Sequence, residues 1–235
     1  MDSRVPPVRR AVILAAGKST RLGGENKLLV EAGGVPVHQW HERLLRDIPT
    51  TIITRPEDVT AVADAASWAK VIPHDKFDGP VGALAAYLQI YLDRSDELIV
   101  LFADTLLVPQ PLPERSWVGV APAPARTWDL YAPWGWTRGV PYIPVCVGIY
   151  SFDYPDRLRR AVKRATEHSE GKDLPMIELL NEYAKSTPLR DNPVRGWYDA
   201  GDTDAIRRVP NFEGALLQDP TRLETVGWLD VALTR

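Results

Sequence analysis

Short apolar runs alternate with helical spacings through the first half of the chain. Apolar runs at 11–16, 50–55, 70–73 and 97–103 predict buried strands. Between them, 80–92 places Val81, Leu84 and Leu88 at helical spacing, with Pro80 suited to a first turn. Alternating βαβ units predict an α/β fold: a Rossmann-like, mostly parallel (mixed) sheet with helices on both faces.

The second half is less regular. Segment 122–144 is rich in proline and tryptophan and has no helical period, which predicts irregular or hairpin structure. A strand is expected at 145–152, helices at 155–165 and 174–184, and a strand, loop and short helix at 197–209. We expect one domain over 1–235, with a core at about 9–209 and a helical appendage at 210–235 that could mediate a homodimer.

Composition narrows the class of protein. The 235 residues are 45% hydrophobic and 25% charged, as in soluble globular proteins, and the net charge of −3 argues against a nucleic-acid partner. Cys146 is the only cysteine, which excludes an internal disulfide and favours a reducing compartment. The first apolar run is too short for a secretory signal or a membrane span, so we expect a cytoplasmic protein with no membrane partner.

The letters GKST at 17–20 suggest an ATPase phosphate loop, but the pattern is incomplete. That loop needs a glycine five residues earlier, where this chain has Val12 inside a predicted strand. The segment nevertheless combines Gly17, Gly23 and Gly24 with the cations Arg21 and Lys27. Glycines allow close backbone approach and positive φ, so we favour a phosphate-binding loop after the first strand over an ordinary βα turn.

Two carboxylates follow predicted strands. Asp104 ends the apolar run at 97–103, on the side of the sheet where such folds bind ligands, although a turn-forming role is equally open. Asp199 follows a short strand in "GWYDAGD", whereas the nearby Asp202 is explained by helix capping. Together, Asp104 and Asp199 are plausible ligands for Mg²⁺, which takes one or two carboxylates and completes its shell with phosphates and water.

The ordered segments "LAAGKSTRLGGENK", "DGPVGALAAYL", "VLFADTLL", "VGIYSF" and "WYDAGDTDAI" resemble nucleotidyltransferases of the glycosyltransferase-A-like superfamily over about 9–209. The first two resemble the molybdenum-cofactor guanylyl- and cytidylyltransferase branch. The last is more similar to sugar-1-phosphate nucleotidyltransferases. The resemblance implies a glycosyltransferase-A-like fold.

The resemblance also implies roles for individual residues. Arg21 and Lys27 would hold the triphosphate of an NTP, and Asp104 and Asp199 would bind Mg²⁺. The Glu-Lys-Pro that sugar-phosphate members carry before the "GIY"-like strand is missing, and Arg138 is a candidate substitute for its lysine. The nucleotide base or ribose would be lined by Ala15, Ala16, Gly17, Gly79 and Gly82.

We therefore expect an enzyme that moves an NMP from an NTP to a phosphorylated acceptor, with a sugar 1-phosphate favoured, and releases pyrophosphate. One alternative is a glycosyltransferase that uses a nucleotide sugar, although such enzymes usually hold their metal through an Asp-x-Asp pair. Another is a non-catalytic nucleotide-binding protein. His38 and His41 lie three apart on a predicted helix, and a helix surface or dimer contact is favoured over a metal site.

Overall fold

The computed structural model describes residues 8–76, 78–90, 97–124, 142–167, 173–194 and 196–201. The strands are β1 (Arg9–Ala15), β2 (Glu31–Ala32), β3 (Val35–Pro36), β4 (Thr50–Thr54), β5 (Lys70–Pro73), β6 (Glu97–Phe102), β7 (Thr105–Leu106), β8 (Trp117–Pro124), β9 (Tyr142–Phe152), β10 (Arg190–Pro193) and β11 (Tyr198–Asp199). The α-helices are α1 (Val37–Leu44), α2 (Val59–Ala65), α3 (Gly79–Ile90), α4 (Pro155–Glu167) and α5 (Met176–Ala184).

The main sheet is mixed and seven-stranded, in the order β10-β8-β9-β6-β1-β4-β5. β1 lies at its centre, parallel to both β4 and β6, so that Ile13 stands opposite Ile52 and Leu101. β5 continues the parallel part, whereas β9 runs antiparallel to β6 and to β8. The prediction of a mostly parallel, Rossmann-like sheet is confirmed.

The two faces of the sheet bury separate apolar clusters. Successive residues of a strand point to opposite faces. Ile13 accordingly packs in the cluster that contains Trp40 of α1, and Val12 packs in the cluster that contains Leu84 of α3 and Leu158 of α4. Helices therefore cover both faces of β1, which explains why its run is apolar throughout.

The predicted helices at 80–92, 155–165 and 174–184 correspond to α3, α4 and α5, and Pro80 lies in the first turn of α3. In the proline-rich segment, β8 and β9 pair up to Pro124 and Tyr142, so the ends of that segment do form a hairpin. Residues 125–141, which include Arg138, and residues 202–235, which include the expected appendage, lie outside the described ranges. Within those ranges, every helix is too short or too polar to cross a lipid bilayer.

Candidate active site

A cleft of about 570 Å³ opens at the carboxyl ends of the central strands. It is lined by the end of β1 and the loop that follows it, by the start of α3 and by the end of β6. The predicted residues that line it are Ala15, Ala16, Gly17, Arg21, Lys27, Gly79 and Asp104. Residues scattered over the sequence therefore meet where parallel α/β sheets bind ligands.

Several residues of the loop after β1 have the left-handed backbone conformation, with positive φ. Ser19 (φ 50°) precedes a short 3-10 turn, Thr20–Leu22, which ends at Gly23 (φ 68°) and Gly24 (φ 90°). The N–H of Gly24 donates to the carbonyl of Ser19 at 3.1 Å, which closes the turn. Positive φ is easy for glycine, so the two glycines have the conformational role that the sequence predicts. Val12 lies within β1, as the sequence predicts, so the chain has no glycine turn at the position that an ATPase phosphate loop requires.

Lys27 and Asp104 meet inside the cleft. The Lys27 ammonium forms an ion pair with Oδ2 of Asp104, and the two side chains are 20% and 22% exposed. Arg21 lines the same cleft. The cations of the glycine loop therefore lie beside the carboxylate at the end of β6, an arrangement suited to a ligand that carries phosphates and a divalent cation.

A two-stranded sheet brings the second carboxylate next to Asp104, although Asp199 itself is not among the residues that line the cleft within the described ranges. β11 pairs antiparallel with β7, which places Asp199 opposite Thr105. The N–H of Ala200 donates to the Asp104 carbonyl at 2.8 Å, and the N–H of Gly201 donates to Oδ1 of Asp199 at 2.8 Å. Gly201 also lacks a Cβ where one would contact both carboxylates, at 2.8 Å from Asp199 and 3.6 Å from Asp104.

Crowding of the carboxylates perturbs Asp199. Burial, followed by repulsion from Asp104, raises the pKa of Asp199 to about 6, although the N–H of Gly201 and the cations Lys27 and Arg21 act in the opposite direction. The ionised form of Asp199 is therefore disfavoured in the protein by itself. A cation held between the two carboxylates would remove this penalty.

Comparison with known families identifies the domain that carries this cleft. Residues 11–176 match the MobA-like NTP transferase domain. The chain belongs to this family. It is accordingly a nucleotidyltransferase.

Two molybdenum cofactor guanylyltransferases are among the relatives of this nucleotidyltransferase. The one from Pseudomonas paraeruginosa is 31% identical over 149 residues, which cover 61% of this chain and 71% of that protein. The one from Shewanella putrefaciens is 33% identical over 107 residues, or 45% of this chain and 53% of that protein.

Solved structures show the same fold at low sequence identity. The inositol-1-phosphate CTP transferase from T. maritima superposes with a TM-score of 0.67 at 14% identity, covering 90% of this chain and 97% of that one. The CTP:phosphocholine cytidylyltransferase from Streptococcus pneumoniae gives a TM-score of 0.65 at 15% identity, covering 86% and 97%. The nucleotidyltransferase therefore has the expected glycosyltransferase-A-like fold.

The donor set of the nucleotidyltransferase fits Mg²⁺. Asp104 and Asp199 offer hard oxygen ligands. Burial and then repulsion from Asp104 raise the pKa of Asp199, and a bound divalent cation would offset both effects. Within the described ranges no group of three or more His, Cys, Asp or Glu side chains is placed to hold a metal. Two carboxylates without further protein ligands suit Mg²⁺, whose remaining positions are taken by phosphates and water.

The two glycines at the start of α3 differ in position. Gly79 (φ 80°) lines the cleft beside Asp173. Gly82 is not among the cleft residues within the described ranges: it makes room for the Asp78 carboxylate, which bonds Nε2 of His74 at 2.9 Å. Contact of Gly79 and of Gly82 with a base or ribose stays a prediction.

Among the charged residues and histidines that line the cleft, sequence reasoning did not single out Lys18, His74, Lys76 or Asp173. His74 and Lys76 follow β5, whose position beside β4 is decided by sheet order. A polar residue directly after a predicted parallel strand was the available signal, the same one that identified Asp104. That signal does not apply to Asp173, because this residue precedes a predicted helix and does not directly follow a predicted strand.

The two histidines of α1 are buried, so the interpretation as a helix surface or dimer contact is wrong. His38 is 6% and His41 is 1% exposed. Nε2 of His41 donates to the carbonyl of Thr105 at 3.1 Å, and burial lowers the pKa of His41 to about 4. A neutral imidazole thus supports the turn that follows Asp104. α1 packs against β7 rather than presenting this face to solvent, which periodicity alone did not reveal.

Proposed function

We propose that this nucleotidyltransferase is Mg²⁺-dependent and transfers an NMP from an NTP to a phosphate oxygen of a phosphorylated acceptor, releasing pyrophosphate. The observation that carries the proposal is the cluster of Lys27, Asp104 and Asp199 beside the glycine loop. The cluster combines one fixed cation with two carboxylates, as a metal-bound triphosphate requires.

The binding roles follow the positions in the cleft. Ala15, Ala16 and Gly17 are small residues that line the cleft and leave room for a base, and Gly79 lines it at the start of α3. Arg21 and Lys27 bind the triphosphate. Asp104 and Asp199 hold Mg²⁺, which supplies charge neutralisation at the phosphates when it is bound. Arg138 is proposed as an acceptor-binding residue from the sequence alone.

The chemistry needs little from the protein beyond orientation and charge. An acceptor phosphate is largely ionised at pH 7, because its second pKa is about 6, so no strong general base is required. An acceptor oxygen forms a bond to the α-phosphorus while the bond from that phosphorus to the bridging oxygen breaks, and pyrophosphate carries away the electron pair. At ~4 Å and an effective dielectric constant of about 20, each cation–phosphate pair contributes about 4 kcal/mol.

A sugar 1-phosphate is the proposed acceptor. The support is the second carboxylate in "WYDAGD", a segment similar to the corresponding part of sugar-1-phosphate nucleotidyltransferases. The names of the sequence relatives favour a second candidate acceptor, the molybdenum cofactor, with GTP as donor. The two acceptors share a phosphate group and differ in the ring system that carries it.

The proposal includes the setting in which the enzyme acts. We propose a cytoplasmic, single-domain enzyme. The single cysteine supports a reducing compartment, and the main sheet, which contributes the ends of β1 and β6 to the cleft, supports a single domain. Its association into a homodimer is a further prediction from the sequence, tested by the mass in solution.

Pyrophosphate release tests the proposed reaction. The purified protein is incubated with Mg²⁺, each of ATP, GTP, CTP, UTP and dTTP, and a panel of glucose 1-phosphate, other sugar 1-phosphates, phosphocholine and molybdenum cofactor. Release that needs one NTP and one acceptor, and that Asp104→Ala abolishes, supports the proposal and names both substrates. In a parallel incubation with nucleotide sugars in place of the NTPs, release of a nucleoside diphosphate, with no pyrophosphate from any NTP and acceptor pair, overturns it in favour of the glycosyltransferase.

A further inference from the structure

The residue before Lys27 is a fully bonded, buried amide. Asn26 is 4% exposed. Its Nδ2 donates to Oγ1 of Thr54 at 2.8 Å and to Oδ2 of Asp58 at 2.9 Å, and its Oδ1 accepts the N–H of Leu28 at 3.0 Å. Both donor hydrogens and the acceptor oxygen of the Asn26 amide are therefore used, and these three bonds fix the orientation of the buried side chain.

Arg55 extends the same network to the glycine loop. Its Nε donates to Oδ2 of Asp58 at 2.6 Å, and its Nη2 donates to the carbonyl of Gly24 at 2.9 Å. We call Asn26, Thr54, Arg55 and Asp58 the loop anchor. The loop anchor ties the backbone at Gly24 and at Asn26 to the end of β4 and the turn after it.

Lys27 is fixed on its other side as well. Leu28 is 0% exposed in the core beneath α1, and its carbonyl accepts the N–H of His38 at 3.1 Å. The lysine is thus bracketed by two buried residues that are held by different elements, β4 and α1. Its backbone has little freedom, and its side chain crosses the cleft to Asp104.

We propose that Asn26 is a positioning residue for Lys27, acting through the loop anchor. The inference rests on the proposed phosphate-binding role of Lys27. Without the anchor, the loop between Gly24 and Leu28 relaxes and the ammonium loses its fixed position relative to the phosphates. A misplacement of about 1 Å at a reacting group can cost on the order of 100-fold in rate.

Two substitutions within the same contact test the anchor. Asn26→Asp keeps the acceptor for Leu28 but removes both donated hydrogens and places a second carboxylate against Asp58. It is expected to lower kcat/KM for the NTP by about 10- to 100-fold. Thr54→Ser keeps the hydroxyl that accepts from Nδ2 of Asn26 and is expected to stay within about threefold of the wild type. Wild-type kcat/KM in Asn26→Asp, or an equal loss in both variants, overturns the proposal.

Nucleotide affinity separates positioning from a purely structural role. Calorimetry with Mg²⁺ and NTP, without acceptor, is run on the wild type, Lys27→Ala, Asn26→Asp and the combination of both. If Asn26 acts through Lys27, the combination binds no more than about twofold more weakly than Lys27→Ala alone. The inference is overturned if the combination loses affinity by the product of the two single losses. It is also overturned if Asn26→Asp lowers the melting temperature but keeps wild-type affinity and kcat/KM.

The same experiment distinguishes the two levels of the argument. If Lys27→Ala has wild-type affinity and turnover, the proposed role of Lys27 fails. If Lys27→Ala is impaired while Asn26→Asp equals the wild type, only the positioning role fails. If Asn26→Asp does not fold, Arg55→Gln replaces it, because this change releases the Gly24 carbonyl at the outer edge of the anchor. A loss of about threefold in kcat/KM is then expected, and wild-type kinetics overturn the proposal.

Discussion

Asp199→Asn should stabilise the free protein while removing its activity. In the folded chain, burial and the neighbouring Asp104 raise the pKa of Asp199 from 3.8 to about 6. The ionised carboxylate is thus less stable in the folded state than in the unfolded state. An amide of the same shape carries no charge, and its oxygen still accepts the N–H of Gly201.

The magnitude follows from the shift in pKa. At 1.36 kcal/mol per pKa unit, the shift of about 2 units corresponds to about 3 kcal/mol. Partial exposure of Asp199 lowers this figure, so we expect a gain of about 2 kcal/mol at pH 8.

The stability gain from Asp199→Asn depends on pH with a defined sign. A raised carboxyl pKa means that the folded state binds the proton more tightly, so the cost of ionised Asp199 is full above pH 6 and absent below pH 3.8. By this relation the gain from Asp199→Asn at pH 5 is about half of its value at pH 8.

Urea unfolding at both pH values measures the gain. The wild type is compared with Asp199→Asn and with Asp64→Asn, a change on the exposed side of α2 that should stay within about 0.5 kcal/mol. Pyrophosphate release is measured on the same preparations, and Asp199→Asn should show none above background. A variant no more stable than the wild type at pH 8, or a gain that is equal at both pH values, would refute the reasoning.

Further predictions concern three other positions. Lys27→Ala should lower turnover by about 1,000-fold, the equivalent of about 4 kcal/mol, with unchanged circular dichroism; near-normal pyrophosphate release contradicts its role. Gly79→Ala forces a side chain into φ 80° and within 2.9 Å of the Leu174 backbone nitrogen, and should lower the free energy of unfolding by about 1–3 kcal/mol in urea titrations. Gly17→Ala, which meets nothing within 4 Å, is its control, and equal losses would contradict the strain. Burial raises the pKa of the Cys146 thiol to about 12, so alkylation by iodoacetamide at pH 8 should be much slower in the folded than in the urea-unfolded protein; equal rates would contradict its burial.

Local patterns in the sequence determined the elements and the glycine loop. The apolar run of β1 and the helical spacing of α3 are visible within one segment, because period 2 and period 3.6 act over neighbouring residues. Arg21 and Lys27 share a short loop with three glycines, so their convergence needed no tertiary information. The order of elements and the position of Asp104 after an apolar strand then indicated which edge of the sheet carries the cleft.

Tertiary structure alone decided how these residues work together. The pairing of β11 with β7 places Asp199 beside Asp104, where burial and then repulsion from Asp104 raise its pKa. The packing of α1 on β7 buries His41, which no helical periodicity distinguished from an exposed residue. The partners of Asn26 lie 28 and 32 positions away, on β4 and the turn after it. A pattern of neighbouring residues carries no information about such distant contacts, since sheet order and helix docking bring them together only when the whole chain folds.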